Sequence, residues 1–348
     1  MHERMTEEEI RCRRLAGQHL LAPAPARTVV RDLCGVQAQF LQSALHALRI
    51  RSGGACGPER LVKSWTIRGT LHVFALEDLP VFLHRGRAQS PRDCDTLGAD
   101  ARVDAARKRF FADLILQRIE AGENTREALR AACRSAGMTD GEAESIFNAW
   151  GGTIRALCDA GLIGYAVCEK KTFMRLPDFA PMEANEARLE MARRYFAHFG
   201  PATVRDAAYF FGATQSQVKT WLDRLPVRAI SCSGRTYYAL EDGPGTPDGA
   251  HDIPPCVLLA GFDQLMLGYQ KTESLFFRPE HLRGIFNLTG IVAPTVLLNG
   301  RVVGKWKRSG RRLTVTPFEA VRAADRRRIE EEALRLFPAL SGVVFTEE

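Results

Sequence analysis

The order of elements along the chain predicts a mainly α fold with β-hairpin wings (α+β), built as tandem winged-helix repeats and closed by a small C-terminal α/β unit. Two observations point there. A run of helical segments followed by a hairpin recurs three times without close sequence repetition, and the last quarter turns strand-rich. Three helices closed by a hairpin describe a winged helix, and three in a row imply an extended, concave assembly.

The first unit, residues 1–98, opens on a Thr6/Glu9 capping box and passes two amphipathic segments flanking "GVQAQF" before "LVKSWTIRGTLHVF", where Thr66 to Phe74 reads as a strand. In the second, residues 99–181, "VDAARKRFFADLILQRIEAG" is helical. "NTREALRAACRSAG" begins with an Asn cap followed three residues later by a Glu, and "FNAWGGTIRALCDAGLI" supplies a third helix. "LIGYAVCEKKTFMRL" then reads as two strands around a charged turn at Glu169 to Lys171. In the third, residues 182–248, "NEARLEMARRYFAHFG" is a helix, Thr203 caps "VRDAAYFFG", and Gln215 to Leu225 forms a further helix. "RAISCSGRTYYAL" turns at Ser233-Gly234. Residues 249–348 hold the strand-like "CVLLAGFDQLML", "PTVLLNGRVVGKWK" and "RLTVTPF", with an Asn299-Gly300 turn, before the helix "AADRRRIEEEALRLF".

Composition narrows the function classes. With 348 residues, 45% hydrophobic and 26% charged, the chain is long enough for several well-buried cores and is not a disordered polymer. The charged start and the absence of any long apolar run argue against a signal peptide or membrane span, so the expectation is a cytoplasmic protein. The nine cysteines are scattered and form no C-x-x-C or Cys/His cluster, so free, mostly buried thiols are expected, with no metal and no cofactor. A net charge of +7 points weakly to an acidic partner. Its distribution says more: in "RVVGKWKRSGRR", from Arg301 to Arg312, six of twelve residues are Lys or Arg. A hairpin carrying Lys305, Lys307, Arg308, Arg311 and Arg312 is either a solvated surface or a phosphate contact.

The two glutamines of "GVQAQF" are the least expected residues in the chain. Gln37 and Gln39 lie between Val36 and Phe40, where neighbouring residues favour burial, and a buried amide without partners is costly. They are either satisfied by nearby backbone or line a cavity and hold something polar. A shared outlook requires a break in the helix, because residues two apart diverge by about 200° on a helical period but face one side of an extended segment. Asp263 in "GFDQL" reads more readily as a cap or ion-pair partner than as a catalytic acid, and Asp32 as a charge on a helix surface. "GRVVG" and "SGGACG" lack the Gly-Lys-Ser/Thr ending of a phosphate cradle.

"GVQAQF", "TIRGTLHVF", "FGPATVRDAAYFFG", "GFDQLMLGY" and "PTVLLNGRVVGKW", in that order across nearly the whole chain, resemble the winged-helix DNA glycosylases of the AlkZ/YcaQ superfamily, in its AlkZ-like Gln-x-Gln branch. The resemblance implies tandem winged helices around a C-shaped, DNA-sized channel and excision of N7-alkylated purines, interstrand crosslinks included. It implies catalysis by Gln37 and Gln39, and contact of Arg68 and His72 with the DNA channel. Those two also alternate with Ile67 and Leu71 on the expected strand. The chain departs from the family in having Gln270-Lys271 after Tyr269, where an Asp-Arg pair is frequent, and Tyr209-Phe210-Phe211 where a Trp pair is common.

Such a lesion gives the amides a chemical role. Glycoside cleavage ordinarily uses a carboxylate and an acid. An N7-alkylated purine is already cationic and departs as a neutral base, so the main remaining task is to hold a water near the anomeric carbon, which an amide with one acceptor oxygen and two donor hydrogens can do. The expectation is thus a monofunctional DNA glycosylase acting as a monomer on double-stranded DNA carrying alkylated purines, with no membrane partner. The alternative is a winged-helix DNA-binding regulator without chemistry. A regulator usually dimerises on paired half-sites. The two readings separate on incubation with alkylated duplex DNA, where only the enzyme releases base.

Overall fold

The computed structural model describes residues 3–53, 60–84, 103–148, 152–244 and 253–346. The expected boundaries at 98/99 and 248/249 fall outside them, as do Cys56, Cys94 and Trp150. In chain order, β1 (Glu3–Arg4), α1 (Glu7–Gly17), α2 (Ala26–Asp32), β2 (Val36–Gln37) and α3 (Leu41–Arg49) lead to the hairpin β3 (Leu61–Trp65) and β4 (Leu71–Ala75) and the short α4 (Leu79–Phe82). Next come α5 (Ala105–Glu120), α6 (Arg126–Ser135), α7 (Asp140–Ile146) and α8 (Gly152–Asp159), followed by β5 (Ile163–Ala166) and β6 (Phe173–Arg175). Then α9 (Ala184–His198), α10 (Val204–Phe211) and α11 (Gln215–Leu222) precede β7 (Val227–Cys232) and β8 (Arg235–Leu240). The remainder is β9 (Cys256–Leu258), α12 (Gln264–Leu267), α13 (Leu282–Ile285), β10 (Thr295–Leu298), β11 (Arg301–Ser309), β12 (Arg312–Pro317), α14 (Ala323–Leu336) and β13 (Gly342–Phe345). The architecture is mixed α/β. Among the described residues no helix is long and apolar enough to cross a membrane.

Local chemistry explains the boundaries. Thr6 and Glu9 close a reciprocal capping box on α1, as do Thr203 with Asp206 on α10 and Thr214 with Gln217 on α11. Ser233-Gly234 and Asn299-Gly300 both take positive φ at both positions, the turn geometry that matches the twist of the paired strands.

Three expectations need correction. Thr66 to Phe74 is not one strand: Arg68 (φ 56°) and Gly69 (φ 67°) turn the chain back between β3 and β4, because consecutive left-handed residues end an extended run. The cap of α6 is Thr125, whose hydroxyl accepts from the Ala128 amide, while the Asn124 carbonyl accepts from the Phe173 amide. Residues 99–181, read as three helices, hold a fourth: α7 carries its own capping box, Thr139 with Glu142, in a stretch too short and polar for periodicity to reveal.

The chain divides into two compact units, one formed by Met1–Gly57 with Ala192–Glu348 and the other by Pro58–Met191. In the second, strands run in the order β4-β3-β5-β6, and Phe111, Ile115, Leu129, Ile146 and Phe173 belong to its core. The first has a three-stranded sheet, β1-β7-β8, and a five-stranded sheet, β13-β12-β11-β10-β9. Ile329, Ala333 and Leu336 of α14 cover the latter, joining Leu258, Val296, Leu313 and Val315 in one cluster. Tyr195, Phe199 and Phe210, all fully buried, form an aromatic cluster, and the Tyr195 hydroxyl donates to the Gly268 carbonyl at 2.8 Å. Every described cysteine is a free thiol, and all but Cys168 are buried.

Candidate active site and basic hairpin

The "GVQAQF" segment is built by a helix that is stopped and a helix that is restarted. After α2, Cys34 (φ 54°) and Gly35 (φ 79°) adopt left-handed backbone, and the Gly35 amide bonds to the Val30 carbonyl at 2.6 Å. Glycine suits this position because it pays no steric penalty at positive φ. Val36 and Gln37 then run extended, Gln39 and Phe40 bend, and α3 begins at Leu41. The helix break that the paired amides require is therefore present. The two amides do not share one environment: Gln37 is 7% accessible, Ala38 is fully buried and Gln39 is exposed. Only Val36 and Gln37 are strand, so strict two-residue alternation ends before Gln39. Beside it, Phe40 is 52% accessible, its ring centroid 5.6 Å from that of Phe262.

Buried polar groups hold this segment from behind. The Gln264 amide nitrogen donates to the Gly35 carbonyl, and Gln264 and Asp263 are both fully buried. Asp263 is engaged twice over. It receives a bidentate pair from Arg51 at 2.7 and 2.9 Å and caps α12 through the Leu265 amide. The carboxylate thus fills both structural roles expected of it, ion-pair partner and helix cap. The reading of Asp32 as a helix-surface charge is overturned. Asp32 is 7% accessible, its carboxylate 2.8 Å from His19 Nε2 and 3.5 Å from His198 Nε2, while His198 Nδ1 lies 3.1 Å from the Gly17 carbonyl. Burial pushes the Asp32 carboxyl up, but the His19 hydrogen bond and the potential of His198, His19 and Arg31 outweigh it and hold the group below the usual carboxylate range. Burial lowers His198, with only partial compensation from Asp32. No spacing joins residues 19, 32 and 198, so this cluster had no sequence signal. The same holds for Arg14, which donates to the Pro201 carbonyl, pairs with Asp206 at 3.3 Å and lies 3.8 Å over the Tyr269 ring. Gln270 is held through its backbone, its amide donating to Asp206 at 2.8 Å.

The basic hairpin is β11 and β12, paired from Gly304↔Pro317 to Ser309↔Arg312. Trp306 points inward, 9% accessible, with Nε1 donating to the Leu259 carbonyl at 2.9 Å. Lys305 is half-buried; Lys307, Arg308, Arg311 and Arg312 are exposed. Arg311 Nε donates to the Ala339 carbonyl, and the Arg308 guanidinium lies 4.7 Å over the Phe337 ring. These five residues share a unit with Gln37 and Gln39. Arg68 and His72 belong to the other unit and do not form the expected polar strand face. Arg68 is exposed at the β3–β4 turn, whereas His72 is fully buried on β4, Nδ1 3.1 Å from the Thr70 carbonyl.

A backbone break exposing an amide beside a buried ionic scaffold, in a unit carrying a cationic hairpin, suits a nucleic-acid enzyme more than a small-metabolite one. Comparison with known families decides the matter, since residues 30–338 match the AlkZ-like DNA glycosylases. The chain belongs to this family. It is 25% identical, over 359 residues and 91% of each protein, to an interstrand DNA cross-link repair glycosylase of Streptomyces sahachiroi. The solved structure of Streptomyces sahachiroi DNA glycosylase AlkZ covers 99% of this chain and is itself covered completely, with a TM-score of 0.72 at 22% identity, so the two share a fold. The present chain carries Gln37 and Gln39 just after an interrupted helix and commits Asp263 to Arg51.

Proposed function

We propose that this AlkZ-like DNA glycosylase is monofunctional, acts as a monomer, and excises N7-alkylated purines from double-stranded DNA, bulky adducts and interstrand crosslinks included. The observation that carries the reading is the stopped helix at Cys34–Gly35, which exposes Gln39 in non-helical backbone two residues from Gln37. The name of the Streptomyces relative, a cross-link repair glycosylase, supports the lesion class. In the proposed reaction Gln37 and Gln39 orient a water toward C1′ of the damaged nucleotide. The water oxygen forms the new bond as the glycosidic bond breaks. The released electron pair neutralises the cationic purine, and the surplus water proton passes to solvent. No protein group need accept a proton at neutral pH, which suits amides. An unmodified purine lacks the positive charge and is spared.

The helix–hairpin units would act as winged helices along a DNA channel, with Arg68, Lys305, Lys307, Arg308, Arg311 and Arg312 contacting the DNA, chiefly at its phosphates. His72, being buried, would support its hairpin rather than touch DNA. The test is incubation with duplex DNA bearing N7-methylguanine and, separately, an N7–N7 crosslink. The expected products are free alkylated base and an intact abasic site, with no borohydride-trapped protein–DNA adduct. Failure to release base from every N7 adduct tried overturns the proposal.

A further inference from the structure

The outer face of α3 and strand β11 border an open cleft of about 810 Å³, a size within the range of ligand sites. It starts one turn beyond Gln39, at Gln42 and Ser43, and extends to Phe337. Its walls carry Arg49, Lys305, Lys307 and Arg308, and no carboxylate lines it among the described residues. A rim of one sign selects a polyanion and excludes a divalent cation, which needs oxygen ligands of the opposite charge.

The floor adds a second requirement. The His46 ring stacks on Phe337 with centroids 5.6 Å apart and 14° between planes, and Trp306 meets His46 edge-on at 5.3 Å. Both nitrogen edges are tied into the sheet, His46 Nε2 to the Leu258 carbonyl at 2.7 Å and Trp306 Nε1 to the Leu259 carbonyl at 2.9 Å, so the rings are fixed in advance. Burial lowers His46, which favours a neutral aromatic ring here. The exposed Arg308 guanidinium lies over Phe337, held ready as a planar cation. Ile291, 40% accessible, is an apolar side chain on the same cleft. A phosphodiester backbone satisfies the rim alone; only a polyanion carrying flat rings also uses the floor.

We propose that this cleft holds an unpaired nucleotide of the damaged DNA beside the Gln-x-Gln segment, its phosphates on Arg49, Lys305 and Lys307 and its base against Arg308. The inference rests on the DNA glycosylase reading and deepens it. The lesion would be approached with a neighbouring nucleotide drawn out of the stack, which opens the duplex without a closed pocket around the adduct.

The test uses the full chain and three labelled 12-mers: oligothymidylate, a base-free chain of abasic phosphodiester units, and a blunt duplex. Binding to oligothymidylate about tenfold tighter than to the base-free chain is expected, as stacking contributes roughly 5- to 150-fold per base at such platforms. Arg308→Lys, which keeps the charge and loses the plane, should bring the two single strands within about twofold, chiefly by weakening the binding of oligothymidylate. Lys307→Gln should weaken both alike. Equal binding of the two single strands by the wild type, or an undiminished preference in Arg308→Lys, overturns the proposal. Release of N7-methylguanine by the wild type is followed in parallel. Its absence would remove the glycosylase reading, and the oligonucleotide preference would still decide the cleft by itself.

Discussion

Two short segments of the same unit, Gly35–Phe40 and Gly261–Leu265, have much in common. Each carries a polar pair, and each contains or follows positive-φ backbone, at Cys34 and Gly35 in one and at Phe262 in the other. Their fates are opposite. Asp263 and Gln264 are fully buried and spent on Arg51, the Leu265 amide and the Gly35 carbonyl; Gln39 is exposed. The lesson is that the more reactive functional group is not the more available one. A carboxylate locked in a bidentate ion pair is poorly placed to take up water or a proton, whereas an exposed amide can bind whatever the site admits. Asp263 and Gln264 serve as the base on which the amide segment rests.

The largest effect should come from breaking that base. Arg51→Met leaves Asp263 charged, buried and unpaired, and should cost about 3–5 kcal/mol in urea unfolding. Asp263→Asn should be milder. A folded Asp263→Asn enzyme with a large loss of turnover would move the carboxylate into the chemistry and erase the contrast.

Next comes the amide itself. Gln39→Ala should lower single-turnover release of N7-methylguanine by about 100-fold, near 2.7 kcal/mol, with DNA affinity nearly unchanged. Its unfolding free energy should move by less than about 0.5 kcal/mol, as for most exposed sites. A Gln39→Ala variant that destabilises as Arg51→Met does would place Gln39 among the structural groups.

The basic hairpin offers a smaller, graded effect. Arg312→Gln should weaken binding to all duplex sequences alike and reduce the slope of log K against log salt by about one. An unchanged slope would leave that residue as solvated surface.

The smallest effect is one of pH, at the histidine cluster preceding the helix break. The folded state depresses both Asp32 and His198. A depressed folded value means that the stabilisation is present above the unfolded value and is lost as pH falls through the folded one. His198 should therefore weaken the fold as pH drops below about 6.5, and Asp32 further below about 3.9. His198→Gln should flatten the stability profile between about pH 6.5 and 4, measured by thermal melts; a profile identical to wild type would detach the cluster from the fold's acid sensitivity.

What the sequence by itself determined was local. Capping boxes such as Thr203 with Asp206, the Ser233-Gly234 and Asn299-Gly300 turns, and the inward alternation of Val302, Gly304 and Trp306 depend on residues within a few positions of one another, and local sterics and hydrogen bonds decide them. The Gln-x-Gln pair stood out for the same reason, since two amides one residue apart among apolar neighbours are anomalous at short range. The tertiary structure decided the rest. Asp32 changed from a presumed surface charge to a buried partner because His198 arrives from 166 positions along the chain, and Asp263 became a scaffold because Arg51 reaches it across 212. The pairing of a buried charge is a property of whatever folds over it, and desolvation enforces that pairing only once the chain is compact.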